Sequence, residues 1–187
     1  MKTSLSLVLA LLLVVAGCAT MTSDEKQQKR AELDAMAEAA LAGLVEQDPE
    51  INTEIDESLG YAVANIKLTK VPVVGAGGGE GVFFNKATQQ RTYFTVSRLD
   101  IGGGWGVRSY KALLIFKSQE VMDRAADGIW EFQAGAEMSA GKATAEGSSS
   151  DLNQGFTMHV LSDGGASATV TARVIRTRAY KKLMEDD

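Results

Sequence analysis

The feature that most constrains the fold is a glycine-rich stretch between two apolar pairs. Residues 73–84 read VVGAGGGEGVFF, with five glycines in the seven positions from Gly75 to Gly81. A dinucleotide-binding turn needs G-x-G-x-x-G at the start of a helix, and a P-loop needs G-x-x-x-x-G-K followed by Ser or Thr. Neither spacing occurs, and the VFF that follows is typical of a strand rather than of a helix start. The stretch therefore argues against a nucleotide site.

These glycines alternate along the chain, and a second stretch, IGGGWGV at 101–107, has the same alternation. Because alternate residues of a strand lie on one face, each stretch has a face without side chains. Glycine inside a strand marks strong coiling or the close approach of another element. We therefore expect tightly curved strands that receive a neighbouring element, for which the apolar face of the helix after Ser118 is the candidate. The close-packing glycines are Gly75, Gly77, Gly79, Gly81, Gly102, Gly104 and Gly106.

From Gly60 onward, short apolar segments separated by turn signals predict a series of strands. One amphipathic helix is predicted at 118–132, a polar hairpin connection at 86–91 and a surface loop at 142–155. We expect an α+β fold, a predominantly antiparallel β sandwich or barrel with an N-terminal helix and the internal helix packed on it. The candidate strands are 61–66, 71–74, 81–85, 91–99, 106–116, 134–139, 155–161 and 166–178.

Residues 24–48 predict the N-terminal helix, with Ser23 as its N-cap and Asp48-Pro49 as its end. Its apolar residues recur at i, i+3 and i+4 and form one stripe, whereas its polar face is acidic. Interfacial helices usually carry Lys and Arg on the polar face, so we expect the stripe to pack on the domain rather than on a bilayer. The stripe comprises Leu33, Met36, Ala37, Ala40, Leu41 and Leu44.

The first eighteen residues, MKTSLSLVLALLLVVAGC, are typical of a lipoprotein signal peptide. Lys2 supplies the positive n-region, and the apolar run is too short to span a bilayer comfortably. The run ends in a small-small-Cys triplet that contains the only cysteine of the chain. We expect Cys18 to carry acyl chains such as palmitate, with 19–23 as a short tether. The alternative is an ordinary secretory signal whose cysteine is incidental.

The charge of the chain is unevenly distributed. Residues 24–57 contain eleven acidic and three basic residues, whereas residues 58–184 contain ten acidic and fifteen basic ones. The formal net charge of −5 therefore conceals a mildly basic body. We do not expect nucleic acid as a partner of an exported chain with this net charge.

Several motifs, in order, resemble the SYLF domain. They are GYAVANIKLTK at 60–70, the glycine strand VVGAGGGEGVFF, GGGWGV at 102–107 leading into YKALLIF, and WEFQAGAEMSAG at 130–141, followed by an alternating C-terminal strand. The resemblance covers roughly 51–180. Two positions differ from the family pattern: Ala64-Asn65 stands where a proline is common, and Glu137 stands where Asp is frequent. The SYLF-like domain is assigned to 51–184.

The resemblance implies a β-rich domain that binds phospholipids. SYLF domains occur in bacterial envelope proteins and in eukaryotic membrane and actin regulators. Actin binding in that family involves eukaryotic partners, so the resemblance gives no reason to expect it here. By resemblance to enteric lipoproteins, Ala19 after the cysteine favours the periplasmic face of the outer membrane.

Residues with catalytic potential form no recognisable motif. His159 is the only histidine, so a cluster of histidines cannot hold zinc, and we interpret it as an ordinary strand residue. No acidic residue stands in a motif for hydrolysis. We therefore expect a protein that is not an enzyme and has no cofactor and no metal, and a hydrolase would require a pocket with converging polar side chains.

The functional hypothesis depends on the basic residues. We expect a cationic surface that contacts anionic headgroups, and possible alternatives are a solvated edge strand protected by its charges or an envelope scaffold that binds a protein partner. A groove inside the fold could also accept acyl chains. Arg176 and Arg178 share a strand face, whereas Arg173 falls on the opposite face unless a bulge intervenes. The headgroup candidates are Lys67, Lys70, Arg173, Arg176, Arg178, Lys181 and Lys182.

Overall fold

A computed structural model describes residues 21–126, 130–140, 143–146 and 155–184. For 130–140, 143–146 and 164–174 the description covers the backbone. The predicted signal peptide, Cys18 and the first part of the tether lie outside the described residues, as does most of the loop predicted at 142–155.

Four helices lie among the described residues: α1 Ser23–Gln47, α2 Glu50–Glu57, α3 Gln119–Ala126 and α4 Lys181–Met184. The N-cap of α1 is Thr22, one residue before the predicted cap. Its hydroxyl accepts from Glu25 N at 3.3 Å, and the Glu25 carboxylate accepts from Thr22 N at 2.8 Å, which forms a capping box. Pro49 ends the first helix as predicted, but a helix resumes directly after it because proline is tolerated at a helix start.

The strands form one antiparallel sheet in the order β1-β2-β3-β6-β4-β5. Their bounds are β1 Gly60–Lys70, β2 Val74–Asn85, β3 Gln90–Phe116, β4 Trp130–Ala140, β5 Ala143–Glu146 and β6 Phe156–Ala179. The first part of β3 pairs with β2, and its last part pairs with β1 along the same edge. Since β1 and β2 also pair with each other, the sheet has to curl. The α+β fold with an antiparallel sheet is confirmed, and the sheet is a single half-barrel rather than a two-sheet sandwich.

The bend of β3 depends on glycine conformation. Gly102, Gly104 and Gly106 have φ of 137°, 139° and 145°, a region that residues with a Cβ rarely adopt. The strand therefore turns without ending, and the two separate strands predicted at 91–99 and 106–116 are one element. The two strands predicted at 155–161 and 166–178 are likewise one element, β6.

Three local predictions are wrong. The strand predicted at 71–74 is the β1–β2 turn, in which Val71 N donates to Val74 O at 3.0 Å and Pro72 has no N–H to pair. The helix predicted at 118–132 ends earlier, and Trp130 begins β4. Part of the loop predicted at 142–155 is β5. In each case strand pairing elsewhere in the chain decides the local conformation.

The core has two layers, one on each face of the curled sheet. On the outer face, Leu33, Ala37, Ala40 and Leu44 of α1 are buried against the sheet, so the predicted packing of the helix on the domain is confirmed. On the inner face, Met122 and Ala125 of α3 join the cluster and close one end of the curl. We refer to the opposite end, where β1 turns into β2, as the glycine end.

The element that approaches the β2 glycines is β1. A Cβ at Gly77 would lie 2.7 Å from Lys67 O, and one at Gly79 would lie closer than 3.0 Å to Asn65 O. A Cβ at Gly81 would lie 2.5 Å from the Phe94 ring. The prediction that the helix after Ser118 fills this face is therefore wrong, because neighbouring backbone already occupies the space.

Candidate functional site

The glycine end carries an exposed apolar surface. Val74 pairs with Ile101, and Gly102 N donates to Val73 O at 2.9 Å, which brings the β1–β2 turn against the middle of β3. Large apolar side chains in these two segments are between 45 % and 76 % exposed. Single exposed apolar residues are normal on folded proteins, whereas a contiguous group marks an interaction surface. We call this group the apolar rim; it comprises Val71, Val73, Val74, Leu99, Ile101, Trp105 and Val107.

The residues next to the rim along the strands are buried and charged. Leu99 lies between Arg98 and Asp100, and both of these charged residues are at most 3 % exposed. Lys70 and Arg108 are also buried, each beside a valine of the rim. An antiparallel sheet with one face in water normally places apolar residues inside and polar residues outside. At the glycine end this pattern is reversed.

The buried polar residues form a connected group inside the curl. The Arg98 guanidinium donates to both carboxylate oxygens of Asp100, at 2.8 and 2.9 Å, and also to the Tyr110 hydroxyl. The Arg108 guanidinium lies 4.2 Å from the centre of the Tyr110 ring, within cation–π range. Bidentate pairing compensates part of the cost of burying these charges. We call Lys70, Arg98, Asp100, Arg108 and Tyr110 the inner charged group.

The structure divides the predicted headgroup residues between two faces. Lys67 is exposed on the outer face, but Lys70 is buried on the inner one, so the two cannot belong to one surface patch. Lys67 pairs with Gly78, Gly78 with Ser97, and Ser97 with Arg176, so the two cations lie in one row across four strands. Along β1, Lys67 lies three residues, or about 10 Å, from Lys70, the end of the strand that adjoins the rim.

The remaining basic candidates lie farther from the rim. Arg178 is exposed on the same face as Arg176, two residues along β6, and Lys181 and Lys182 are exposed on α4. Arg173 pairs with Asp100 in the backbone register of β3 and β6, which has no irregularity in this part. Its side chain lies outside what the structure describes. The exposed candidates are therefore spread over β1, β6 and α4 rather than gathered in one compact patch.

A polar cleft of about 380 Å³ lies between α1 and the outer face of β1 and β2. The Lys29 ammonium is 2.7 Å from a Glu80 carboxylate oxygen and 3.3 Å from a Glu32 oxygen. The hydrogen bond to Glu80 raises the pKa of Lys29, which favours its charged form. Lys29, Glu32 and Glu80 of this cleft are thus engaged in ion pairs.

His159 belongs to a small polar cluster between α2 and β6. The Thr157 hydroxyl donates to Glu54 Oε2 at 2.7 Å, and His159 Nε2 lies 3.3 Å from the same oxygen. The hydrogen bond from Thr157 is the main reason that the pKa of Glu54 is lowered. The arrangement joins a helix to a strand through a carboxylate. In the part of the chain that the structure describes, no group of three His, Cys, Asp or Glu side chains could hold a metal ion.

The inner layer is almost completely filled. Side chains including Ile66, Phe94 and Leu114 line a cavity of about 30 Å³, which has space for roughly two water molecules. An acyl chain needs far more space than this. The described side chains therefore leave no space for an acyl chain in this layer, and the acyl groove stays a prediction.

Sequence reasoning missed the apolar rim. The segment at 71–74 was predicted as a strand, although Pro72 inside an apolar run is a turn signal. In 101–107 the interpretation considered the glycines, whereas the exposed apolar side chains are those of Trp105 and Val107. The alternation of apolar and charged residues at 98–101 was visible, but it does not show which face is inside.

No helix within the described ranges is both long and apolar enough to cross a membrane.

The chain was compared with known protein families and proteins. No family model matches the chain. The chain is similar to beta cell expansion factor A of Aeromonas veronii, with 24 % identity over 139 residues, which are 74 % of this chain and 52 % of that protein. This chain thus spans about half the length of the curated relative that it matches.

Proposed function

We propose that the protein is a lipid-anchored SYLF-type protein whose domain binds phospholipid membranes and catalyses no reaction. The observation that carries the proposal is the apolar rim. Burial of apolar surface contributes about 25 cal/mol per Å², so a contiguous rim favours transfer into the outer part of an acyl layer. Trp105, the most exposed rim residue, is of the type that is enriched at membrane interfaces.

The basic row supports the same orientation. With the rim at the edge of the hydrocarbon, Lys67 and Arg176 lie about 10 Å further out. The headgroup region occupies roughly 5–8 Å on each side of a bilayer, and long basic side chains can reach back into it. Each basic residue near an anionic surface contributes about 1 kcal/mol. The rim would therefore supply general membrane affinity, and the row a preference for anionic lipids.

The proposed anchor keeps these weak contacts effective. Met21 packs against the outer layer of the core, and it is three residue steps from Cys18, with two residues in between. A fully extended chain of this length spans about 10 Å. An acylated Cys18 would therefore hold the domain at the bilayer surface, where tethering acts as a millimolar-scale effective concentration. We place the protein on the periplasmic face of the outer membrane.

Vesicle binding of the chain from residue 21 onward tests the proposal without the anchor. The chain has two tryptophans, so Trp130→Phe leaves Trp105 as the only reporter. We expect flotation with both neutral and anionic vesicles, and quenching of Trp105 fluorescence by brominated acyl chains. In Trp105→Ala with Trp130 retained, flotation should fall at least ten-fold.

Two outcomes would contradict the proposal. Absence of flotation with both vesicle types would remove lipid binding. Unquenched Trp105 fluorescence in bound protein would show that the rim does not insert. If a protein partner is crosslinked stoichiometrically through rim residues in cells and vesicles do not bind, the scaffold alternative replaces the lipid proposal, because an exposed apolar surface also suits a protein interface.

A further inference from the structure

Lys70 is a buried lysine without a described acceptor. It is 3 % exposed, and its ammonium has no hydrogen-bond partner among the residues that the structure describes. Burying an unpaired charge is costly, and buried charges in proteins are normally paired. Proteins retain such costly groups mainly at functional sites. The side chain therefore requires an explanation beyond packing.

The backbone around Lys70 leaves room for the lysine side chain. Its register partners on the two neighbouring strands are Gly75 and Gly106, neither of which has a side chain. A Cβ at Gly75 would lie 3.2 Å from Lys70 Cβ and 3.3 Å from Asp100 Cβ, so both side chains lie over this glycine. Both oxygens of Asp100 already accept from Arg98. The Asp100 carboxylate beside Lys70 is thus engaged by another cation.

The position of Lys70 specifies the type of anion. Lys70 is the last residue of β1, directly before Val71 of the rim. When the rim contacts the acyl layer, the lysine lies at the boundary between hydrocarbon and headgroups. Lysine side chains at this depth extend their ammonium towards the interface, where phosphate oxygens are the abundant acceptors.

We infer that Lys70 is a ligand for a phosphate oxyanion, supplied by the headgroup of a phospholipid that contacts the rim. This inference rests on the proposed membrane function. In the absence of the anion the lysine lowers stability, and in its presence it confers a preference for anionic lipid. Lys70 is thus a headgroup ligand through the inner face, separate from the basic row that contains Lys67 and Arg176 on the outer face.

Lys70→Met tests the inference, because methionine has an unbranched side chain only one heavy atom shorter than that of lysine and removes the charge. Full-length protein is reconstituted in nanodiscs of mixed phosphatidylglycerol and phosphatidylcholine, and mass spectrometry measures the ratio of the two lipids that co-purify. We expect the enrichment of phosphatidylglycerol to fall about five-fold, the effect of one basic residue near an anionic surface. In detergent without phospholipid, the variant should unfold at a temperature at least about 2 °C higher than the wild type.

Arg124→Gln is the matched control. Arg124 is exposed on α3, at the far end of the sheet, where it pairs with Glu120. Arg124→Gln removes one positive charge, as Lys70→Met does, and it should change neither the lipid ratio nor the unfolding temperature. If Lys70→Met keeps the wild-type lipid ratio, the inference is wrong. A Lys70→Met variant that is less stable than the wild type, or that fails to fold, also overturns it, since the lysine would then have a structural partner.

Inorganic phosphate distinguishes the two sources of the anion. If phosphate raises the unfolding temperature of the wild type above its value in chloride at equal ionic strength, but not that of Lys70→Met, the site binds the free ion. If phosphatidylglycerol is enriched but phosphate does not raise the unfolding temperature, the bound anion is the lipid headgroup. If neither effect is seen, Lys70 is not an anion ligand. Trp105 quenching is a separate readout, so a phosphate effect without quenching would reject the membrane function and retain the anion site.

Discussion

The glycines of β2 and β3 are required for two different physical reasons. Those of β3 provide positive φ angles at the bend, as at Gly104. Those of β2 allow close approach of β1, as at Gly79. The alternation of glycines predicted curvature in both cases. It could not distinguish conformation from close approach, because that difference depends on which strand pairs alongside.

Gly79→Ala should destabilise the protein by at least about 2 kcal/mol, the range for overpacking. The new Cβ would meet the backbone oxygen of Asn65, which cannot move without disturbing the β1–β2 ladder. Gly103→Ala is the control, since a Cβ there meets no atom within 4 Å. Urea unfolding of both variants measures the difference, and equal effects of the two substitutions would contradict the close-approach explanation.

At the scale of elements, short helices and strand joins were the least predictable features. The stripe of α1 was correctly read because its periodicity extends over several turns, whereas α2 follows a proline and has only eight residues. β3 was predicted as two strands, 91–99 and 106–116. Its continuity depends on pairing with β6 along the entire bend, from Phe94 to Phe116.

The contact of α2 with β6 predicts a pH-dependent stability. The pKa of Glu54 is lowered in the folded protein, chiefly by the Thr157 hydroxyl. The contribution of Glu54 to folding stability is therefore fully present above the pKa of glutamate in the unfolded chain, near pH 4.3. It is lost as the pH falls through the lower pKa of Glu54 in the folded protein. Thr157→Val should cost about 1 kcal/mol at pH 7, and the difference from wild type should shrink below pH 4. A difference that stays constant in urea titrations at both pH values would refute this.

At the scale of the whole molecule, the rim and the basic row define one end and one face of the curled sheet. In the proposed membrane function, the rim would act through apolar area, which salt does not screen, whereas the row would act through charges. The Debye length falls from about 10 Å at 0.1 M salt to about 3 Å at 1 M. The two contributions to membrane binding can therefore be separated by ionic strength.

Raising the salt from 0.1 M to 1 M should leave binding to neutral vesicles unchanged and reduce binding to anionic vesicles towards the neutral level. Arg176→Glu should reproduce the effect of high salt at 0.1 M, because it reverses one charge of the row. Vesicle flotation measures each case. Loss of neutral binding in 1 M salt would show that charges, and not the rim, carry the affinity.

The sequence by itself determined the features that depend on local periodicity: the α+β class, the amphipathic α1, the curvature at the glycines and the basic character of β6 near Arg176. Only the tertiary structure decided which face of each strand is inside. Alternation has a period of two, so 98–101 fits either orientation equally well. Pairing of β1, β2 and β6 around the bend of β3 placed the charges inside and the apolar residues outside.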